Sequence, residues 1–375
     1  MKKIPLVFAF IFLLFLPLRL FGQRAAHPYW YTLEQGKTFF RNGQYGGALN
    51  AFEDAKRNRR TMYEKMEQDL IYVLSLSEVR RMRDSLDEVE RYIAKNYLDN
   101  AATALKELYF RVPRQSLNGS ANNALKTFGT LKAYPEAEYW IGEVYRIEGE
   151  LNLAVRQYQK AHEQRANLEN PHFDIDILYR IVDVFRITQD YNAMEEWALS
   201  ILATDALWSG GSAQLYARGA MSKLLESDGG IKRFLTVYRY DNAQVERIHQ
   251  LLGFFYYNSG RHGNAQEHLM FSFLINSTLI INELLRNRYD FEFVSLEAML
   301  EEAEADPVLI DFIDSTDYYK TVYYLACALY ANGKATTARE LWNVLSERRV
   351  VAGEWAARSA NQLKSPAIES PREAL

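Results

Sequence analysis

Of 375 residues only one, Cys327, is a cysteine, so no intramolecular disulfide can form and stability has to come from packing. No excess of basic residues is present: 44 Lys and Arg stand against 48 Asp and Glu, which disfavours non-specific nucleic-acid binding. The acids are dispersed, so no acidic tail is implied. No stretch alternates apolar and polar side chains as a half-buried strand would. Signatures of catalysis are missing too. The chain has no G-x-S-x-G elbow and no G-x-x-x-x-G-K-[ST] phosphate loop. None of its six histidines pairs at the four-residue spacing that sets two zinc ligands on one helix face. Cys327 has no histidine near it in sequence and reads as an inert, buried thiol. The densest acids, Glu297, Glu301, Glu302, Glu304 and Asp306, read as a solvated helix face rather than a carboxylate pair for glycoside chemistry. The expectation is no enzyme, no catalytic residue, no cofactor and no metal.

What is present begins with Lys2 and Lys3, followed by an apolar run from Ile4 to Leu18 that Arg19 stops. A basic head with an apolar core of this length is the pattern of a secretory signal peptide, and a spanning helix needs about 20 apolar residues. Residues 1–22 are therefore expected to be a signal peptide cut near Gly22 or, if uncleaved, an N-terminal anchor and the chain's only membrane contact. No cysteine follows the run, so lipid anchoring is not expected. Without residues 1–22 the balance is 41 basic against 48 acidic side chains, about −7. Aromatics reach 14%, led by 25 Tyr, which suits large helix–helix contacts.

The stretch from Glu138 to Arg165 reads EYWIGEVYRIEGELNLAVRQYQKAHEQR, with the skeleton Gly142, Tyr145, Gly149, Leu151, Ala154, Tyr158, Ala161. Small and apolar residues recur at three- and four-residue spacing on both sides of Gly149, so it predicts two amphipathic helices joined there. This spacing resembles the tetratricopeptide repeat (TPR), a helix–turn–helix unit of about 34 residues, with Glu138 where that family has an early tryptophan. Tyr29–Arg60 repeats it in Gly36, Phe39, Gly43, Tyr45, Ala48, Phe52 and Ala55. A degenerate copy at Asp176–Asp205 has Val182 and Met194 where glycine and alanine are expected. Glu246–Ser277 (Gly253, Gly260, Ala265, Leu269) and Tyr319–Arg349 (Ala326, Gly333, Ala338, Trp342) are good copies.

Most gaps between these units are near multiples of about 35 residues, implying hidden helical hairpins rather than a foreign domain. Helices are expected at 62–80, 83–96, 98–111, 120–133, 212–227, 231–240, 294–305 and 307–314. Val89, Tyr92, Ala101, Leu105, Leu108 and Pro113 also fit the repeat in a second register, and the two registers exclude one another. Residues 353–362 are expected to form a terminal helix covering the last hairpin, and 364–375 a disordered tail. The fold class is all-α, an α-solenoid of TPR-like hairpins over residues 28–363.

The resemblance implies a concave surface built mainly from the first helix of each unit. Its exposed positions fall on Trp30, Leu33, Lys37, Phe40 and Arg41, then on Tyr139, Glu143 and Arg146. In the degenerate unit they fall on Tyr179, Asp183 and Arg186. They continue at Arg247, Gln250, Phe254 and Tyr257, and at Lys320, Tyr323 and Tyr330. Tyr and Arg dominate binding hot spots, so these residues are the candidate groove for another protein or peptide. The set lacks the Lys/Asn clamp by which chaperone-type TPR domains hold a terminal carboxylate. The expected function is an exported, non-enzymatic scaffold in the periplasm or envelope. The alternatives are a self-associating assembly factor, whose groove its own tail or a second copy fills, and a glycan-binding envelope protein using groove tyrosines.

Overall fold

The computed structural model describes residues 27–75, 83–111, 118–209, 211–288 and 290–369. The expected signal segment 1–22, the end of the helix expected at 62–80, Pro113 and residues 370–375 lie outside them. The described chain is helical, and no strand occurs among the described residues. Its helices are α1 (Tyr29–Arg41), α2 (Tyr45–Ser75), α3 (Arg83–Ala94), α4 (Leu98–Arg111), α5 (Asn118–Leu131), α6 (Pro135–Ile147), α7 (Leu151–Glu163), α8 (Phe173–Ile187) and α9 (Tyr191–Leu202). They continue as α10 (Ser212–Leu225), α11 (Gly230–Val237), α12 (Ala243–Asn258), α13 (His262–Asn287), α14 (Leu296–Ala303), α15 (Pro307–Ser315), α16 (Tyr318–Ala331), α17 (Ala335–Ser346) and α18 (Glu354–Lys364).

One local device recurs at six helix–helix joints. A residue in the left-handed region ends the first helix: Gly43, Asn96, Gly149, Gln189, Gly260 or Gly333, with φ between 58° and 82°. The next residue's N–H then reaches the carbonyl five residues back. Gln44 bonds Phe39 and Glu150 bonds Tyr145, at 2.9 and 2.8 Å, and Asp190 bonds Phe185 at 3.0 Å. Both groups would otherwise be orphans of the helix end, and the left-handed residue reverses the chain so that the next helix packs back. Above the turn, in three of these hairpins, the two helices touch through a glycine: Gly36, Gly142 or Gly253. A Cβ on Gly36 would lie 2.4 Å from the Phe52 ring, and one on Gly142 would lie 2.6 Å from the Tyr158 ring. Ala48, Ala154, Ala265 and Ala338 are buried at the matching place on the second helix.

The chain divides into two compact units, the first ending at Val184 and the second starting at Phe185, within α8. In the first, α1/α2 packs directly on α6/α7. Leu33, Phe52 and Ala55 share one core with Tyr134, Ala137, Ile141 and Val144. The intervening residues build a second core on the far half of α2, where Tyr63, Met66 and Leu70 meet Val89, Ile93, Ala101, Leu105, Ala124 and Phe128. The helix expected at 62–80 is therefore not separate. No glycine or proline breaks the chain between Arg60 and Ser75, and α2 runs on unbroken to Ser75. The hairpin α3/α4 turns at Asn96, so this region follows the second register. Arg59, buried, joins the two cores: its guanidinium lies 4.6 Å from the Tyr134 ring and its Nε donates to the Leu131 carbonyl at 2.9 Å.

In the second unit α9 packs on α12, and α12/α13 on α16/α17, with α18 closing over α17 and α16. The helix α13 is long and apolar enough to cross a membrane, yet 78% of its most apolar window is buried against its neighbours. It is the core helix of this unit. Cys327 is buried on α16, and burial pushes its thiol up to about 12, which leaves it unreactive.

Candidate protein-binding site

The candidate residues separate into three groups. Leu33 (5% exposed), Tyr139 (7%) and Glu143 (4%) are interior, so their assignment to an open groove is corrected. Leu33 belongs to the α1/α6 core. Glu143 accepts from the Tyr158 hydroxyl at 2.5 Å, Arg146 Nη2 at 2.9 Å and Arg180 Nε at 2.9 Å. Tyr139 lies edge-on to Phe173 at 4.7 Å, and Arg180 Nε also reaches its hydroxyl at 3.3 Å. The cluster braces α6, α7 and α8, because a buried carboxylate must be matched by donors and Arg146, Arg180 and Tyr158 supply them. The groove rule placed these residues outward because helix phase alone does not register the next helix, α8, lying across that face.

A second group stays accessible but scattered. Trp30 is 54% exposed, and Arg41 and Arg247 are exposed. Lys37 pairs with Glu34 at 2.7 Å beside the Trp140 ring, and Phe40 wedges between Tyr45 and Trp140. Tyr179, Asp183 and Arg186 are half-buried on α8. Gln250 is committed to the structure, donating to the Thr316 carbonyl at 2.6 Å. Tyr330 leans on Trp342 of α17 while Tyr323 faces α18, so the two do not share one surface.

The third group converges. Phe254 and Tyr257 on α12 meet Tyr324 of α16 with ring centroids 5.4 and 5.1 Å apart, and Lys320 Nζ sits 5.0 Å over Phe254. One residue back, Tyr323 turns to Trp355 of α18 at 5.5 Å. Trp355, Arg358 and Gln362 follow at spacings of three and four, hence on one side of α18. The Arg358 guanidinium lies 4.8 Å from the Tyr323 ring, 4.8 Å from Trp355 and 5.7 Å from Tyr324, a cation held by three aromatic faces. Tyr257 and Tyr323 are buried beneath this cradle, a second correction to their assignment as open groove residues: their rings form its floor and their hydroxyls reach into it.

The cradle is filled. Residues 365–369 double back over it without helical structure, where a disordered tail was expected from Lys364. Arg358 Nη2 donates to Glu369 Oε2 at 2.6 Å and Gln362 Nε2 to Oε1 at 3.1 Å, and the Tyr323 hydroxyl also donates to this carboxylate. Gln362 Oε1 accepts from the Ala367 N–H at 2.8 Å, and the Tyr257 hydroxyl donates to the Glu369 carbonyl at 3.4 Å. Burial opposes ionisation of Glu369, but the bonds from Tyr323 and Arg358 outweigh it and hold the carboxyl below the ordinary glutamate range.

Sequence reasoning missed Tyr324, Trp355, Arg358, Gln362 and Glu369. The one available signal was the Trp-x-x-Arg-x-x-x-Gln stripe on a helix that had been assigned only a covering role. It also missed a basic cavity of about 640 Å³ in the first unit. There Lys56 and Lys160 hold the buried Glu138 at 3.1 and 2.7 Å, with Arg57, Arg60 and Lys132 also on the wall. Its residues come from helices about a hundred positions apart, beyond the reach of any spacing rule.

No family model matches the chain. It is similar to an uncharacterized protein of Treponema pallidum, 23% identical over 337 residues that cover 89% of each chain. It is also similar to an uncharacterized protein of Borreliella burgdorferi, 23% identical over 257 residues, covering 62% of this chain and 78% of that one.

Proposed function

We infer that the chain is an exported, non-enzymatic scaffold of TPR-like hairpins, stacked as an α-solenoid, that binds another protein in the periplasm or at the envelope. The observation that carries this reading is the cradle itself. Two of the residues that the repeat resemblance marked as binding positions, Tyr257 and Tyr323, bond a non-helical polypeptide segment through their hydroxyls, and two more, Phe254 and Lys320, adjoin them through the Tyr324 ring. Rings and an arginine around a main chain are the chemistry of peptide capture. The shared turn geometry of six hairpins supports the repeat resemblance. The basic head and short apolar run of residues 1–22 support export.

Two measurements test it. Immobilised chain exposed to an envelope extract should retain a defined partner; self-association alone would replace the scaffold by an assembly factor. Mass spectrometry of the protein from its native host should find the N-terminus at or near Gln23. An intact Met1 in the membrane fraction would mean that the segment is an anchor.

A further inference from the structure

We propose that the α12/α16/α18 cradle is a receptor for a non-helical, acidic segment of a partner protein, and that residues 365–369 are a displaceable occupant standing in for it. The inference rests on the scaffold reading and adds the partner's chemistry and the device that guards the site.

Residues 365–369 are held as a ligand is held. They contribute no helix and no core side chain: Ser365, Ala367 and Ile368 are exposed, Ile368 by 55%. What holds them is one backbone N–H, one backbone carbonyl and one carboxylate, received by Gln362, Tyr257 and Arg358. Main-chain bonds give affinity to any extended peptide, and a single anchored side chain selects among them.

The receiving side is built without help from the segment. Arg358 is fixed by the rings of Tyr323, Tyr324 and Trp355, and Gln362 Nε2 is oriented by the Tyr323 hydroxyl at 3.5 Å. A guanidinium already immobilised by stacking loses little freedom on pairing, so its bond to a carboxylate returns more binding than a mobile side chain would. A cation, an amide N–H and a phenol converging on one point select a carboxylate. Gln362 sets the register, since its oxygen takes the N–H two residues before the acid while its nitrogen takes the acid itself. The fitting partner segment is non-helical and carries a glutamate at the position equivalent to Glu369, two residues after a small residue with a free N–H.

Tethering the occupant gives it a high effective concentration, so a partner must outcompete it and a weakened tail should open the site. The test uses the full chain and a labelled synthetic peptide, acetyl-Ser-Pro-Ala-Ile-Glu-amide, whose only carboxylate is the glutamate side chain. In the variant Ala367→Pro/Glu369→Gln the tail loses both its N–H and its charge. That variant should bind the peptide at least tenfold tighter than the parent, and replacing the peptide's Glu by Gln should cost at least tenfold. Adding Arg358→Gln to the opened chain should cost a similar factor; the Glu/Gln peptide comparison decides the matter if that variant does not fold. Equal binding by parent and opened chain, or indifference to the peptide's carboxylate, overturns the proposal. So does a parent dimer that dissociates on opening, which would make a second copy the occupant. If the opened chain ignores the peptide but still retains its envelope partner, only this inference fails. If the peptide binds but no variant retains a partner, the scaffold reading fails and the peptide site stands.

Discussion

Two buried histidines make the second unit sensitive to acid. His249 on α12 and His268 on α13 face each other with their Nδ1 atoms 3.1 Å apart, so one carries a proton there and the other does not. Trp208 stacks on His268 at 4.8 Å, Phe271 on His249 at 5.1 Å, and the Arg218 guanidinium lies 4.0 Å above Trp208. Another proton on the pair would set two N–H groups against each other in an apolar site already beside a cation. Burial, His268 and Arg218 thus hold His249 well below its ordinary 6.5, and burial and Arg218 lower His268 to about 3. Unfolded, both titrate near 6.5, so below that pH the unfolded chain binds more protons and stability falls with pH. Above 6.5 nothing is lost. At about pH 5 His268 alone costs about 2 kcal/mol, since each unit of separation is worth about 1.4 kcal/mol, and His249 adds to the loss in the same direction. That is a sizeable share of the 5–15 kcal/mol typical of a domain. Urea unfolding followed by circular dichroism at about pH 7.5 and pH 5 measures the loss. The control is His249→Phe/His268→Leu, whose stability should fall much less over the same interval. Burial raises Glu246 and Glu267, which act in the opposite sense, but these groups remain in both proteins and cancel in the comparison. Equal pH dependence in the two proteins refutes the argument.

Other expectations concern the hairpins and the tail. Gln189 sits at φ 61°, where four of the five sister turns have glycine, so Gln189→Gly should stabilise by about 1 kcal/mol and raise the urea midpoint; an unchanged or lower midpoint contradicts it. Ala154 is fully buried where α6 and α7 touch, so Ala154→Trp should cost about 1–3 kcal/mol or more, and a parent-like melt would mean that the helices do not meet there. The Glu369 clamp is complete above the ordinary glutamate value of 4.5 and is lost as pH falls through its lower folded value. Trp355 emission should therefore change in that acid range in the parent and not in Glu369→Gln, and identical titrations would place Glu369 outside the cradle.

What was legible in the sequence is what lies within one hairpin. Gly36 and Phe52, or Gly142 and Tyr158, are sixteen residues apart and touch because a turn brings them together, so spacing alone predicts the contact. The α3/α4 hairpin was ambiguous because asparagine, a weaker signal than glycine, occupies its left-handed turn position at Asn96. Helices over 212–227, 231–240, 294–305 and 353–362 appear as α10, α11, α14 and α18, their ends shifted by a few residues.

Spacing misled where a helix outlasts its repeat. Gly36 and Gly142 lie 106 residues apart, yet their hairpins share one core. The intervening helices do not extend the row of repeats but fold onto the surplus half of α2. In the second unit α13, similarly overlong, packs on α16 directly and leaves α14 to cover its end. A gap near a whole number of repeats therefore counted helices without placing them. The site suffered most from this, because a groove rule assumes that each first helix presents the same face to the same side. Interleaved helices break that assumption hairpin by hairpin. Beside α8 the face of α6 is buried around Glu143, and beside α18 the face of α16 becomes a cradle. Which outcome a hairpin meets is decided by a neighbour that its own residues do not encode.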